Sequence, residues 1–126
     1  MPLKIVYDYE LDVSVLNNEA VIAHLRSILN TFVNKPEYSR YYIGITSNLE
    51  SRRTSHERKK PQFKLMCPIY GDSNPKADMA FHSLERDAIN SLRSGIVNPS
   101  DPSRKMSCEN GPGGSPPKNW LYVLIG

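Results

Sequence analysis

At 126 residues, 39% of them apolar and 23% charged, the chain has the composition of one ordinary globular domain and not that of a disordered segment. Its net charge of +3 is too small to identify a nucleic-acid partner from the total, so that case must rest on where the cations sit. No apolar run approaches the roughly 20 residues needed to cross a bilayer. Met1 to Lys4 lacks the apolar core of a secretory signal, so a soluble intracellular protein with no membrane partner is expected. Cys67 and Cys108 then read as two free thiols.

Leu3 to Tyr9 is rich in branched and aromatic residues and predicts a strand. After a possible cap at Asn17 and Asn18, apolar residues recur at helical spacing from Ala20 to Phe32, and Pro36 breaks the pattern. Arg40 to Thr46 predicts a second strand. Ser47-Asn48-Leu49-Glu50 has the form of a capping box and predicts a helix from about Asn48 to Lys60, stopped by Pro61. Gln62 to Tyr70 predicts a third strand, with Pro68 favouring a sheet edge. A third helix is expected from about Ala77 to Ser94, with Gly95 at its C′ position. Residues 99–118 are dense in Pro, Gly and Ser and read as a long loop, and residues 119–125 hold a closing apolar strand. The expectation is a single α/β domain over residues 1–126, a small, mostly antiparallel sheet flanked by about three helices.

The chemistry-bearing stretch is Tyr41 to Lys60. A strand carrying Tyr42 and Gly44 delivers the chain to a capped helix on which Arg52 and His56, four apart, share a face. Phosphodiester cleavage needs a group to activate water and a cation against the charge growing on phosphorus, and a tyrosine, a guanidinium and an imidazole are suitable parts. Glu85 borders the apolar stripe of the third helix, where an unpaired carboxylate is costly and a divalent cation would offset that cost. Arg52, Arg53, Arg58, Lys59, Lys60 and Lys64 form the densest cationic cluster of the chain, suited to phosphate-backbone contacts. The same cations also suit a solvated helix face. His24, His56, His82, Cys67 and Cys108 lack the close spacing of a structural zinc site.

Tyr42-Ile43-Gly44, followed by Asn48-Leu49, by Arg52 eight residues after the glycine and by His56 four later, resembles the YIG half of the GIY-YIG endonuclease domain. The resemblance covers roughly residues 41–98. It implies a metal-dependent endonuclease acting on DNA, branched or single-stranded substrates included, with Mg²⁺ or Mn²⁺ held by Glu85. It also implies that Arg52 meets the phosphate charge, that Tyr42 and His56 support the water, and that Asn98 or Asn119 matches a downstream asparagine. The GIY half, whose tyrosine the family uses to activate water, does not stand about ten residues before Tyr42. Tyr7 on the first strand is the preferred replacement, Tyr122 on the last strand is the second, and an empty role is the third. A catalytically inactive module binding nucleic acid or protein is the alternative to the enzyme.

Overall fold

The computed structural model describes residues 3–10, 18–46, 48–71, 86–98, 100–109 and 120–126. In chain order these form β1 (Lys4–Ile5), α1 (Asn18–Phe32), β2 (Arg40–Thr46), α2 (Leu49–Lys59) and β3 (Leu65–Gly71). Helical residues 86–92, here α3, are followed by β4 (Ile96–Asn98), β5 (Asp101–Cys108) and β6 (Trp120–Ile125). The α/β class is as expected from the sequence. No helix among the described residues is long and apolar enough to cross a membrane.

The six strands form one sheet in the order β1-β3-β6-β2-β5-β4. It is mixed and not mostly antiparallel. β1 runs parallel to β3 and β2 parallel to β5, whereas β6 is antiparallel to both β3 and β2, and β4 to β5. The most apolar strand, β6, lies between β3 and β2, where both its edges are paired and Leu121 to Ile125 are all buried. This central strand, and not the first strand with Tyr7, is the antiparallel neighbour of β2 on the Tyr122 side. β1 is separated from β2 by two strands.

Alternation along β2 and β6 divides the core into two layers. Tyr41, Ile43 and Ile45, with Leu121, Val123 and Ile125, face the layer that α1 and α3 cover through Val21, Leu25, Leu29, Ala88 and Leu92. Tyr42, Tyr122 and Leu124 face the other way, with Leu49 of α2, Phe63 and Met66. α1 supplies an ordinary apolar stripe, but α2 buries only Leu49 and His56. A helix this polar cannot be held by apolar area alone, so its seat on the sheet depends on specific polar contacts.

Several boundaries move. The first strand shrinks to Lys4–Ile5, and Val6 adds one further bond, donating its N–H to the Met66 carbonyl at 2.9 Å. α2 is capped one residue later than the capping box implied. Asn48 accepts from the Ser51 N–H at 3.0 Å, and Glu50 turns instead to Arg53. Pro68 sits in an inner strand, yet β1 pairs β3 only as far as Met66, so the missing N–H of Pro68 falls where no described strand needs it. Gly95 does end α3: its φ is +90°, its N–H donates to the Leu92 carbonyl, and a Cβ there would stand 2.6 Å from the Met106 carbonyl oxygen.

The largest correction concerns the expected loop at 99–118. Its first part is a hairpin, β4 to β5, closed by the Asn98 side chain accepting the Ser100 N–H at 2.8 Å. β5 buries only Met106, which explains why its sequence carries no strand periodicity.

Candidate functional site

The β2–α2 corner is pinned by one hydroxyl. Thr46 Oγ1 accepts the Asn48 N–H and donates to the Asn48 carbonyl, both at 3.1 Å, and that carbonyl opens α2 by accepting the Arg52 N–H. The helix therefore leaves the strand in a fixed direction. An open pocket of about 270 Å³ lies at this corner, lined by Thr46, Asn48, Ser51, Arg52 and Ser55. Residues 48, 51, 52 and 55 are one helix face, so this lining was legible as a spacing even though the hydroxyls drew no attention in the sequence.

Behind the pocket, His56 points down onto the sheet. It is 5% exposed, and its Nε2 lies 2.7 Å from the Tyr122 hydroxyl. Tyr122 pairs with Gly44 across the β2–β6 ladder, and its ring lies over that glycine: a Cβ at position 44 would stand 2.6 Å from Tyr122 Cζ. Tyr42 meets the same imidazole edge-on, with ring centroids 5.7 Å apart, and Lys60 Nζ sits 4.5 Å over the Tyr42 ring. Tyr42, Gly44, His56 and Tyr122 thus form one aromatic and polar layer next to the Arg52 pocket.

Burial lowers the His56 pKa to about 4, helped by the positive charges of Arg52, Lys60 and Lys59. The imidazole is therefore neutral at pH 7, with one nitrogen able to accept a proton. The shift has a stability consequence. Between the ordinary value of 6.5 and about 4, the unfolded chain takes up a proton at His56 that the folded chain refuses. Stability present above pH 6.5 is therefore lost as the pH falls towards 4, by on the order of 3 kcal/mol. Urea unfolding of wild type and His56→Gln at pH 7.5 and pH 4.5 checks this. The wild type should lose more stability than the variant between the two pH values, and equal losses would show that His56 is not held neutral by its surroundings.

The remaining sequence-predicted residues divide sharply. Arg52 is exposed and lines the pocket. Arg53 is clamped between Glu50 and Glu57 at 2.8 Å each, with Nη1 3.4 Å from the Leu3 carbonyl; it braces α2 against the N-terminal strand and is not an available phosphate contact. Arg58 and Lys59 are exposed at the end of α2. Lys64 turns away to the Glu37 carbonyl and the Tyr38 ring. Asn98 is 8% exposed and donates to Asn34 Oδ1 below α1, so it is a structural bridge in the other layer and not a nucleic-acid contact. Tyr7 is 53% exposed beyond the edge strand β1, with β3 and β6 between β1 and β2. It does not supply the strand beside Tyr42; β6, carrying Tyr122, does.

No protein-family model, curated protein or solved structure matches this chain. The site must be read from its own chemistry.

Glu85 and Asn119 lie outside the described residues. Around the pocket the described donors are hydroxyls, a carboxamide and a guanidinium, with no carboxylate. Among the described residues no three His, Cys, Asp or Glu side chains are grouped to hold an ion. The described lining alone offers no carboxylate to a divalent cation; Glu85, the residue expected to hold one, is not among the described residues. What the arrangement can do is bind an oxyanion at Arg52 and the neighbouring hydroxyls, and pass a proton between the Tyr122 oxygen and the His56 nitrogen.

Proposed function

We propose that the chain is a nucleic-acid phosphodiesterase, an endonuclease acting on DNA, in which Tyr122 fills the role of the displaced GIY tyrosine. The observation that carries this reading is the Tyr122 hydroxyl, 2.7 Å from a buried imidazole and laid across Gly44, beside the pocket that Arg52 lines. The strand that would precede Tyr42 in a GIY-YIG chain is replaced in space by β6, which is antiparallel to β2 and ends the chain. Order along the chain differs from the family's, and this reading relies on the pairing of β6 with β2 instead. In this reading Arg52 holds the scissile phosphate against the charge that develops in the transition state. The Tyr122 oxygen takes a proton from the attacking water as its own proton passes to neutral His56. Lys60 holds the Tyr42 ring that walls the imidazole. Glu85 with Mg²⁺ or Mn²⁺ belongs to this proposal through the resemblance alone.

A second reading rests on one observation. Tyr122 is 2% exposed, so substrate water reaches its hydroxyl only when α2 shifts. With α2 fixed, the Tyr122–His56 pair is a brace, and the chain is an inactive module that binds nucleic acid through Arg52, Arg58 and Lys59. A cleavage time course on supercoiled plasmid, in Mg²⁺, in Mn²⁺ and in chelator, separates the two. The expected result is metal-dependent nicking that Arg52→Ala and Glu85→Ala each reduce by about 100-fold or more. Salt-sensitive binding with no turnover on plasmid, branched DNA or single strands would leave only the module.

A further inference from the structure

The opposite end of β2 carries a second cationic pocket that the site above does not use. It has a volume of about 220 Å³ and lies between the turn after α1 and strand β5. Lys35, Tyr38, Ser39, Arg104 and Lys105 supply the lining that matters chemically. Three cations around so small a space repel one another, and an anion between them would relieve that repulsion.

Arg104 is the ordered member. Its Nη1 donates to the Asn34 carbonyl at 2.8 Å, and its Nε lies 3.5 Å from Asp101 Oδ2. Asn34 is fixed in turn: its side chain donates to the Asn30 carbonyl at 3.2 Å and accepts from buried Asn98. A chain of contacts from the β4–β5 hairpin to the end of α1 therefore holds the guanidinium from behind. Nη2 has no partner among the described residues. Lys35 and Lys105 have no ion pair among them either. Lys35 rests 5.9 Å over the Phe32 ring, and Lys64 lies 5.6 Å over the ring of Tyr38. Two side-chain carboxylates are near, and the main-chain oxygen of Gly126 accepts the Ser39 N–H at 2.8 Å. Asp101 is taken up by Ser103 and Arg104, and exposed Glu37 stands beside Tyr38. Counted over these side chains alone, four cations face two acids.

We propose that this pocket is a phosphate-binding site, with the Arg104 guanidinium as its fixed donor and Lys35, Lys105 and the Ser39 hydroxyl as its movable ones. A planar guanidinium held in place matches phosphate geometry with little ordering cost, whereas lysines follow the ligand as point charges. The phosphate is either a free small-molecule phosphate or one group of a nucleic-acid backbone. The pocket sits at the α1 side of the sheet and at the far end of β2 from Arg52, so it is a separate site and stands whether or not the chain cuts DNA.

The test is a titration of the isotope-labelled full chain with inorganic phosphate at constant ionic strength, following the backbone amides of residues 35, 38, 39 and 103–105. Saturable shifts at these amides are expected. Arg104→Ala and the double variant Lys35→Ala/Lys105→Ala should each weaken the response roughly tenfold or more, whereas Arg52→Ala should leave it unchanged. The double variant removes no structural hydrogen bond, so it answers even where Arg104→Ala unfolds. A 12-base-pair duplex is the second arm: shifts at the same amides that phosphate displaces assign the site to a nucleic-acid backbone. Shifts with phosphate but none with duplex assign it to a free phosphate. Linear, unsaturated shifts with phosphate, or saturable ones untouched by the double variant, overturn the proposal.

Discussion

Tyr122→Phe should abolish nicking while leaving the fold in place. The substitution keeps the buried ring, which packs with Leu49, Phe63, Met66 and Leu124, and removes only the hydroxyl facing His56. Proton transfer by a positioned side chain contributes about 100- to 10,000-fold to a rate, so single-turnover cleavage should fall by at least about 100-fold. The structural cost is the loss of one buried hydrogen bond and the orphaning of His56 Nε2, about 1–3 kcal/mol. Tyr7→Phe is the internal control, because Tyr7 is exposed and lies beyond two intervening strands; its rate should match the wild type. Plasmid nicking under single-turnover conditions, with urea unfolding of each variant, gives both readouts. A Tyr122→Phe protein that cuts at the wild-type rate would remove Tyr122 from the reaction and leave its hydroxyl as a brace. A Tyr7→Phe protein that fails to cut would restore the assignment that strand order argues against.

Sequence order points to the strand of Tyr7 as the neighbour of Tyr42, whereas in the sheet that neighbour is the strand of Tyr122. Local signals are strong. Asn48 to Lys60 reads as a helix from its cap and from Pro61, Gly95 reads as a helix terminus because only glycine relaxes at its φ of +90°, and Trp120 to Ile125 reads as a strand from composition alone. Sheet adjacency is not local. Nothing in residues 120–125 states which strand they will pair with, and a rule that neighbours in the chain are neighbours in the sheet points to β1. The pairing is instead decided by burial. Residues 121–125 are apolar on both faces and need a central position, whereas β1 offers two ladder residues and suits an edge. The β4–β5 hairpin is missed for the converse reason: strand β5 is mostly exposed, and its pairing rests on backbone bonds that composition does not show. In and just after α2 the sequence separates neither Arg52 from Arg53 nor Lys60 from Lys64. Their partners, Glu50 with Glu57 and the rings of Tyr42 and Tyr38, decide which charges remain available.

Gly44→Ala should damage both the fold and the site through one contact. A Cβ at position 44 would stand 2.6 Å from Tyr122 Cζ and against the hydroxyl itself, a separation that packed carbon atoms do not tolerate. The neighbour is the far part of a ring that is 2% exposed, braced by His56 and backed by Phe63 and Met66, so it has little room to swing aside. Overpacking of this kind costs about 1–3 kcal/mol, and whatever relief the protein finds must move the Tyr122 hydroxyl relative to His56. Activity should therefore fall further than stability does. A double-mutant cycle with Tyr122→Ala isolates the contact. Tyr122→Ala alone costs about 3–5 kcal/mol through the cavity that it leaves, and in that background the added methyl group meets open space. The two changes together should then cost less than their sum, by about 1–2 kcal/mol. Unfolding free energies of the two single variants and the double variant give the coupling directly. Strict additivity, with Gly44→Ala cleaving at the wild-type rate, would mean that the glycine of the YIG strand is not there to seat the tyrosine. A coupling of the expected sign, joined to lost cleavage in folded Gly44→Ala protein, would tie the glycine, the tyrosine and the imidazole into one device.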